Sequence, residues 1–424
     1  MRVTGIEARS IPDSRGRPTV EVATRASFLG RALEATASVP SGKSTGSHEA
    51  VELRDADGGV EKAIAHVTGE IAEALATHDF GDPDELDDFL IRLDGTPDKA
   101  RLGANAILAV SIAAQRLFAQ AEGVPLWQAI ARRGGFASAP PRLYVNLLNG
   151  GAHAHFTMPF QEHLLVCEGA PSVAYATAQE AFARLGQLLE TSDFPQGSPA
   201  LGLQMPRGGS GETPRSVPMG DEGGYAPTFD TLEKPFELLA ELARSFSGTT
   251  LAIDAAANEL RAGSGYELLT RHYTPVQLAQ VYENLAARYS LHSIEDPFSE
   301  DADSDFSNLT VALEGRCLVV GDDFTATNPL RIKAAAQQRA INAVLIKPNQ
   351  IGSVKEAIAA VQETRARGWQ PICSHRSGET MDAFIADFAY GVGAHGLKAG
   401  GLAQKERVAK YERLLEIEKE AHGV

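Results

Sequence analysis

Six ionisable residues, Asp254, Glu295, Asp322, Lys347, His375 and Lys398, each close a short apolar run, at successive separations of 41, 27, 25, 28 and 23 residues. Three of them are carboxylates in succession, and no Cys/His pair has zinc spacing, so the donor set is one of hard oxygens. Such a set suits Mg²⁺, which keeps several waters and takes its remaining ligands from substrate. The lysines end apolar strands, where a charged amine is costly without anionic neighbours. Burial beside a metal and a second cation lowers a lysine's pKa and makes it a workable base near neutral pH. Taken singly, each residue has a plainer reading. A charge after a strand solvates a loop, Asp322-Asp323 could cap the helix that Pro329 opens, and strand-end lysines commonly snorkel to water. Six in series outweigh those readings.

Two further acids, Glu162 and Glu222, come from irregular segments; Glu222 lies between glycines in Gly220-Asp221-Glu222-Gly223-Gly224. Glycines there let backbone approach a ligand closely, although a plain turn uses the same residues. Ser374-His375-Arg376-Ser377-Gly378 supplies a guanidinium fork, hydroxyls and amides after a strand, a composition that can cradle phosphate. Pro40-Ser41-Gly42-Lys43-Ser44-Thr45-Gly46 mimics the end of a nucleotide P-loop. That motif needs glycine where Ala37 stands and an apolar helix where Ser47 to Asp57 is polar and acidic, so a P-loop is rejected.

The elements that must carry these residues follow from periodicity. Apolar runs recur at Leu143 to Leu148, His163 to Val166, Leu251 to Ile253, Leu291 to Ile294, Leu318 to Val320, Ala343 to Ile346, Pro371 to Cys373 and Gly396-Leu397. Helix-period stretches separate the later ones: Pro275 to Tyr289, Pro329 to Gln338, Ser353 to Arg367 and Thr380 to Tyr390. This alternation predicts parallel βα units closing into an (α/β)8 barrel over residues 140–424, whose strand ends would gather the six residues at one mouth. Before it, residues 1–135 read as a small α+β capping domain, with a strand at Thr19 to Ala23, a helix at Leu102 to Ala121 and a mobile lid loop at 40–48. Pro195 to Pro218 reads as a Gly/Pro/Ser-rich excursion.

The chain has 424 residues, 43% hydrophobic and 22% charged, an ordinary globular mix that excludes a disordered or fibrous protein. Lys+Arg 39 against Asp+Glu 55 gives a net charge of −16, a field that repels nucleic acid and anionic membranes, so neither is expected as a partner. No apolar run reaches the ~18 residues of a membrane helix, and Met1 to Ile11 lacks a signal-peptide pattern. A cytoplasmic location is expected. Cys167, Cys317 and Cys373 are far apart in apolar runs and read as reduced, buried thiols.

Taken together, the segments resemble enolase over essentially the whole chain. The resemblance rests on Asp13-Ser14-Arg15-Gly16 with Pro18-Thr19-Val20-Glu21, the 41–46 loop, Leu102-Gly103-Ala104-Asn105-Ala106, Asn149-Gly150-Gly151, Gly220 to Gly224, Glu295-Asp296-Pro297-Phe298, Gly321-Asp322-Asp323, Asn349-Gln350-Ile351-Gly352 and Ser374 to Thr380. It implies two Mg²⁺ ions, the first on Asp254, Glu295 and Asp322, the second arriving with substrate and held in part by Ser44. It further implies that Lys347 takes the C2 proton of 2-phosphoglycerate, that Lys398 stabilises the enolate, and that Glu222, assisted by Glu162, protonates the departing C3 hydroxyl. A lysine base beside Mg²⁺ is the known pattern of this superfamily and comes from the resemblance, not from spacing. His153, Arg376 and Ser377 would contact phosphate, with His375 and Gln161 completing the wall.

The chain departs from the family pattern at the lids and around the site. Lys43 stands where alanine is usual, and Gly151-Ala152-His153-Ala154-His155-Phe156 replaces Gly-Ser-His-Ala-Gly. With Gly42, the residues Lys43 and His155 become candidate substrate contacts. Arg17 replaces asparagine, His163 follows Gln161-Glu162 where phenylalanine is usual, Ala399 replaces threonine after Lys398, and Gly401-Leu402-Ala403-Gln404-Lys405 replaces Ala-Pro-Ala-Arg-Ser. Two enzymatic expectations follow. One is conversion of 2-phosphoglycerate, or another small phosphorylated hydroxy acid, to an enolpyruvate. The other is a specialised paralogue of phosphonate antibiotic biosynthesis that forms carboxyphosphonoenolpyruvate from 2-phosphoglycerate and a nucleotide-activated phosphonoformate. A non-catalytic binder on the same fold would erode the acid, base or metal positions, and none is eroded. The resemblance also implies a homodimer.

Overall fold

The computed structural model describes residues 1–43, 46–191 and 217–423. Ser44 and most of the Pro195 to Pro218 excursion lie outside the described residues. Two compact units make up the chain. The first comprises Met1–Arg142, Val320–Ala399 and Lys405–Val424, and the second Leu143–Val319 and Gly400–Gln404.

In the first unit, β1 (Arg2–Pro12), β2 (Pro18–Phe28) and β3 (Arg31–Ser38) form an antiparallel meander. Alternation along β2 buries Val20, Val22 and Ala26 on one face, and the apolar helix Ala104–Glu122 packs over β2 and β3. The strand expected at Thr19 to Ala23 is the centre of β2, and the helix expected from Leu102 starts at Ala104.

Eight strands close the barrel: β4 (Arg142–Asn149), β5 (Glu162–Cys167), β6 (Thr249–Asp254), β10 (Ser293–Glu295), β11 (Leu318–Gly321), β12 (Ala343–Ile346), β13 (Gln370–Ser374) and β14 (Gly396–Gly400). The short strands β7 (Arg261–Ala262), β8 (Gly265–Leu268) and β9 (Arg271–Tyr273) form a separate three-stranded sheet between β6 and β10 in the chain. β12 is buried at every residue, as expected for a strand covered on both faces. The helices Pro275–Tyr289 and Pro329–Gln338 match their sequence bounds, because each has Pro at its first turn and a side-chain cap, Thr274 or Asn328, that fixes the start.

Three expectations need correction. The barrel is not all-parallel, since β5 runs antiparallel to both β4 and β6. The β4-to-β5 connection is short and holds no crossover helix, and a parallel return needs a long crossover. Glu162 therefore lies not in an irregular segment but at the first residue of β5, level with the carboxyl ends of β4 and β6. The helix expected from Thr380 begins at Phe384, because the Asp382 carboxylate caps Phe384 N at 2.8 Å and Thr380 is spent on turn hydrogen bonds.

Candidate active site

In the second unit the carboxylates line up by strand register. Asp254 closes β6, with Glu162 opposite it on β5 and Glu295 opposite it on β10. All three side chains are buried. Asp254 Oδ1 accepts from Ala256 N at 3.0 Å, and its Oδ2 accepts from Gln161 Nε2 at 3.1 Å. Gln161 Oε1 is buried with no hydrogen-bond partner among the described residues, leaving an oxygen ready for a ligand beside Asp254.

Asn146 lies in the middle of β4, wholly buried, and its Nδ2 donates to Glu162 Oε1 at 2.7 Å and reaches Glu222 Oε2 at 3.5 Å. One amide thus spaces the two acids. Glu222 is presented by the Gly220–Gly224 turn, which folds tightly against Asn149. A Cβ on Gly220 would come within 2.3 Å of the Asn149 side chain, and Gly224 N donates to Asn149 Oδ1 at 3.0 Å. Gly401 N holds the Glu222 carbonyl at 2.8 Å. His153 brings Nδ1 to 3.2 Å from Glu222 Oε2, within ion-pair range but poorly directed for a hydrogen bond. Its Nε2 has no partner among the described residues. His155, by contrast, is exposed at the end of this turn with a left-handed φ of 52°.

In the first unit Asp322 and Lys347 immediately follow β11 and β12, and the Lys347 ammonium contacts Asp322 Oδ2 at 2.5 Å. Gln350 Nε2 holds Asp322 Oδ1 at 2.9 Å, while Thr327 Oγ1 links Gln350 Oε1 at 2.7 Å to Lys347 N at 2.9 Å. Burial pushes the Asp322 carboxyl up, but Lys347, Lys398 and Arg376 together hold it below the usual range. Asp323 is pushed up to about 7, by burial first and then by the Asp322 charge.

Lys398 sits inside β14, not at its end, paired in register with Ser374. His375 N donates to Lys398 O at 2.8 Å, which places His375 just beyond the paired strands. Arg376 is buried and pairs with Glu49 at 2.8 Å, and its guanidinium lies so close to Gly42 that a Cβ there would collide with it. Arg15 reaches Ser377 Oγ at 3.1 Å. Lys43 is exposed. Sequence reasoning missed Asn146 and Glu49 as site residues and took Gln350 only as part of the Asn349-Gln350-Ile351-Gly352 motif. Asn146 had a usable signal, a polar residue interrupting the apolar run Leu143 to Leu148.

The amino-terminal part of the chain, residues 3–130, matches the family model for the enolase N-terminal domain, and residues 206–423 match that for the enolase C-terminal TIM barrel domain. The chain is also 37% identical to a protein named enolase from Methanopyrus kandleri, over 100% of this chain and 96% of that one. The chain belongs to the enolase family. It is accordingly an enolase-type lyase, with a small sheet domain ahead of an eight-stranded barrel. The family generally uses Mg²⁺, and the residues here fit it. Asp254 and Glu295 present buried carboxylates in register, Gln161 adds an unsatisfied oxygen, and every donor is a hard oxygen. Among the described residues no helix is long and apolar enough to cross a membrane.

Proposed function

We propose that this enolase-family lyase removes water from 2-phosphoglycerate to give phosphoenolpyruvate. The observation that carries the reading is an ion-paired lysine, Lys347, in the first unit together with two buried acids, Glu162 and Glu222, that share the Asn146 amide in the second. In a closed barrel the carboxyl ends of the strands open on one face. The reading requires both groups to act on one substrate.

Lys347 takes the C2 proton, leaving the C2–H electrons delocalised into the carboxylate as an enolate; that pair then forms the C2=C3 bond while the C3–O bond breaks and Glu222 delivers a proton to the leaving oxygen. Water and the enol phosphate result, so atoms and charge balance. Lys398, buried in β14, stabilises the negative charge that develops on the carboxylate side. Arg376, Ser377 and His153 hold the phosphate, and Gln161 and His375 line the wall. Asp254, Glu295 and Asp322 would hold Mg²⁺, which supplies Lewis-acid stabilisation of that enolate charge. We place the reaction in the cytoplasm, as the sequence reading expects, and infer a homodimer on the resemblance alone. Exposure of Lys43 and His155 gives no support to a second, phosphonate-bearing substrate.

The test is direct. Purified protein with Mg²⁺ is expected to convert 2-phosphoglycerate to phosphoenolpyruvate at ordinary enolase efficiency and to lose that activity on chelation. Failure with 2-phosphoglycerate alone, rescued by adding a nucleotide-activated phosphonate, would replace this reading.

A further inference from the structure

The segment from His375 to Thr380 is braced by two cations that the elimination chemistry leaves without a role. Arg407 and Lys410 lie on the carboxy-terminal helix Lys405–His422, and both are fully buried. Lys410 pairs with Glu379 Oε2 at 2.8 Å, donates to the Thr380 carbonyl, and so steadies Glu379, whose Oε1 accepts from Arg376 N at 3.0 Å. Arg407 Nη2 donates to the Ser377 carbonyl at 2.7 Å, and its Nη1 donates to the Arg376 carbonyl and to His375 Nδ1.

The last contact has a chemical consequence. A guanidinium carries donors only and keeps its charge at any pH the protein meets, so the atom facing it must offer a lone pair. Nδ1 of His375 therefore carries no proton, and the single ring proton resides on Nε2. The ring is also held from its own backbone, through His375 N to Lys398 O at 2.8 Å, so neither its position nor its tautomer is left to chance.

We propose that Arg407 is a positioning residue that fixes His375 as the Nε2–H tautomer, making this histidine a hydrogen-bond donor to substrate and excluding it as a general base. The donor role rests on the elimination reading above, whereas the tautomer does not. That separation allows two distinguishable tests. Nitrogen-15 NMR of the ring in the wild-type full-length protein at pH 7.5 is expected to show His375 neutral with its proton on Nε2. A proton on Nδ1, or on both nitrogens, overturns the proposal whatever the enzyme's substrate.

Arg407→Lys keeps the buried charge but has one ammonium for three acceptors. If it folds, with a thermal midpoint as the control, it is expected to show mixed tautomers and a kcat about 10–100-fold lower with little change in KM, the usual cost of losing an orienting partner. A folded Arg407→Lys with the wild-type tautomer overturns the assignment. His375→Gln, which retains a donor near the Nε2 position, is expected to keep more kcat than His375→Ala. Equal loss in the two contradicts the donor role alone.

Discussion

Lys347 Nζ lies 2.5 Å from Asp322 Oδ2, so the proposed base and one proposed metal ligand form a single ion pair. The pair is almost enclosed, and Gln350 holds the second Asp322 oxygen at 2.9 Å. A buried pair of this kind is weak as a stabilising device, since desolvation offsets much of the attraction. Its value is chemical. Asp322 stays ionised against its burial because Lys347, Lys398 and Arg376 surround it, and an ionised carboxylate is what a divalent cation needs.

That requirement gives the first prediction. Glu295→Gln keeps the shape of a β10 side chain in register with Asp254 but removes one anionic oxygen donor. Mg²⁺ affinity measured by titration calorimetry is expected to fall by more than about tenfold, with the thermal midpoint of the metal-free protein nearly unchanged. Unaltered Mg²⁺ binding would remove Glu295 from the site.

Asn146 carries the second prediction. Its Nδ2 spaces Glu162 from Glu222, and both carboxylates are buried. Asn146→Leu keeps a similar volume and leaves the two acids without their shared donor. The expected result is a loss of kcat on the order of 10²-fold with KM changed little, because positioned acid–base groups contribute roughly 10²–10⁴-fold. Deleting only the strand's packing would instead lower the melting temperature and spare kcat in the folded fraction.

Much of this arrangement was legible in the sequence for a physical reason. Residues at the ends of short, largely buried strands interrupt apolar runs, so Asp254, Glu295, Asp322 and Lys347 announce themselves by spacing. The direction of β5 left no such mark, because an apolar run reads the same whichever way it runs. Glu162 was picked out as an acid, but its place at the start of a reversed strand depends on the short β4-to-β5 connection. Glu49 escaped because it looks like one more charge in a polar stretch. Its pairing with Arg376, far along the chain, is a tertiary fact with no local periodicity.

His163 supplies a prediction about stability. It replaces the phenylalanine usual after Gln161-Glu162, and it is buried against Phe236, with ring centroids 5.1 Å apart. Burial pushes its pKa down to about 4. The unfolded chain takes up a proton near pH 6.5 that the folded ring refuses, so stability is intact above pH 6.5 and falls as the pH drops from there to about 4. The loss approaches roughly 3 kcal/mol at the acid end. His163→Phe is expected to flatten that part of the melting-temperature profile while leaving the value at pH 8 within a few degrees. An unchanged acid slope in the variant would show that other groups set it.

The central claim is that Lys347 takes the C2 proton and Glu222 serves the leaving hydroxyl. Release of deuterium from C2-deuterated 2-phosphoglycerate into water, followed in wild type, Glu222→Gln and Lys347→Ala with Mg²⁺ present, separates the two roles. Wild type is expected to release label and form phosphoenolpyruvate, and Glu222→Gln to release label while forming little product. Lys347→Ala is expected to do neither, with exchange slowed on the order of 10²–10⁴-fold. Undiminished label release by a folded Lys347→Ala protein would contradict the account.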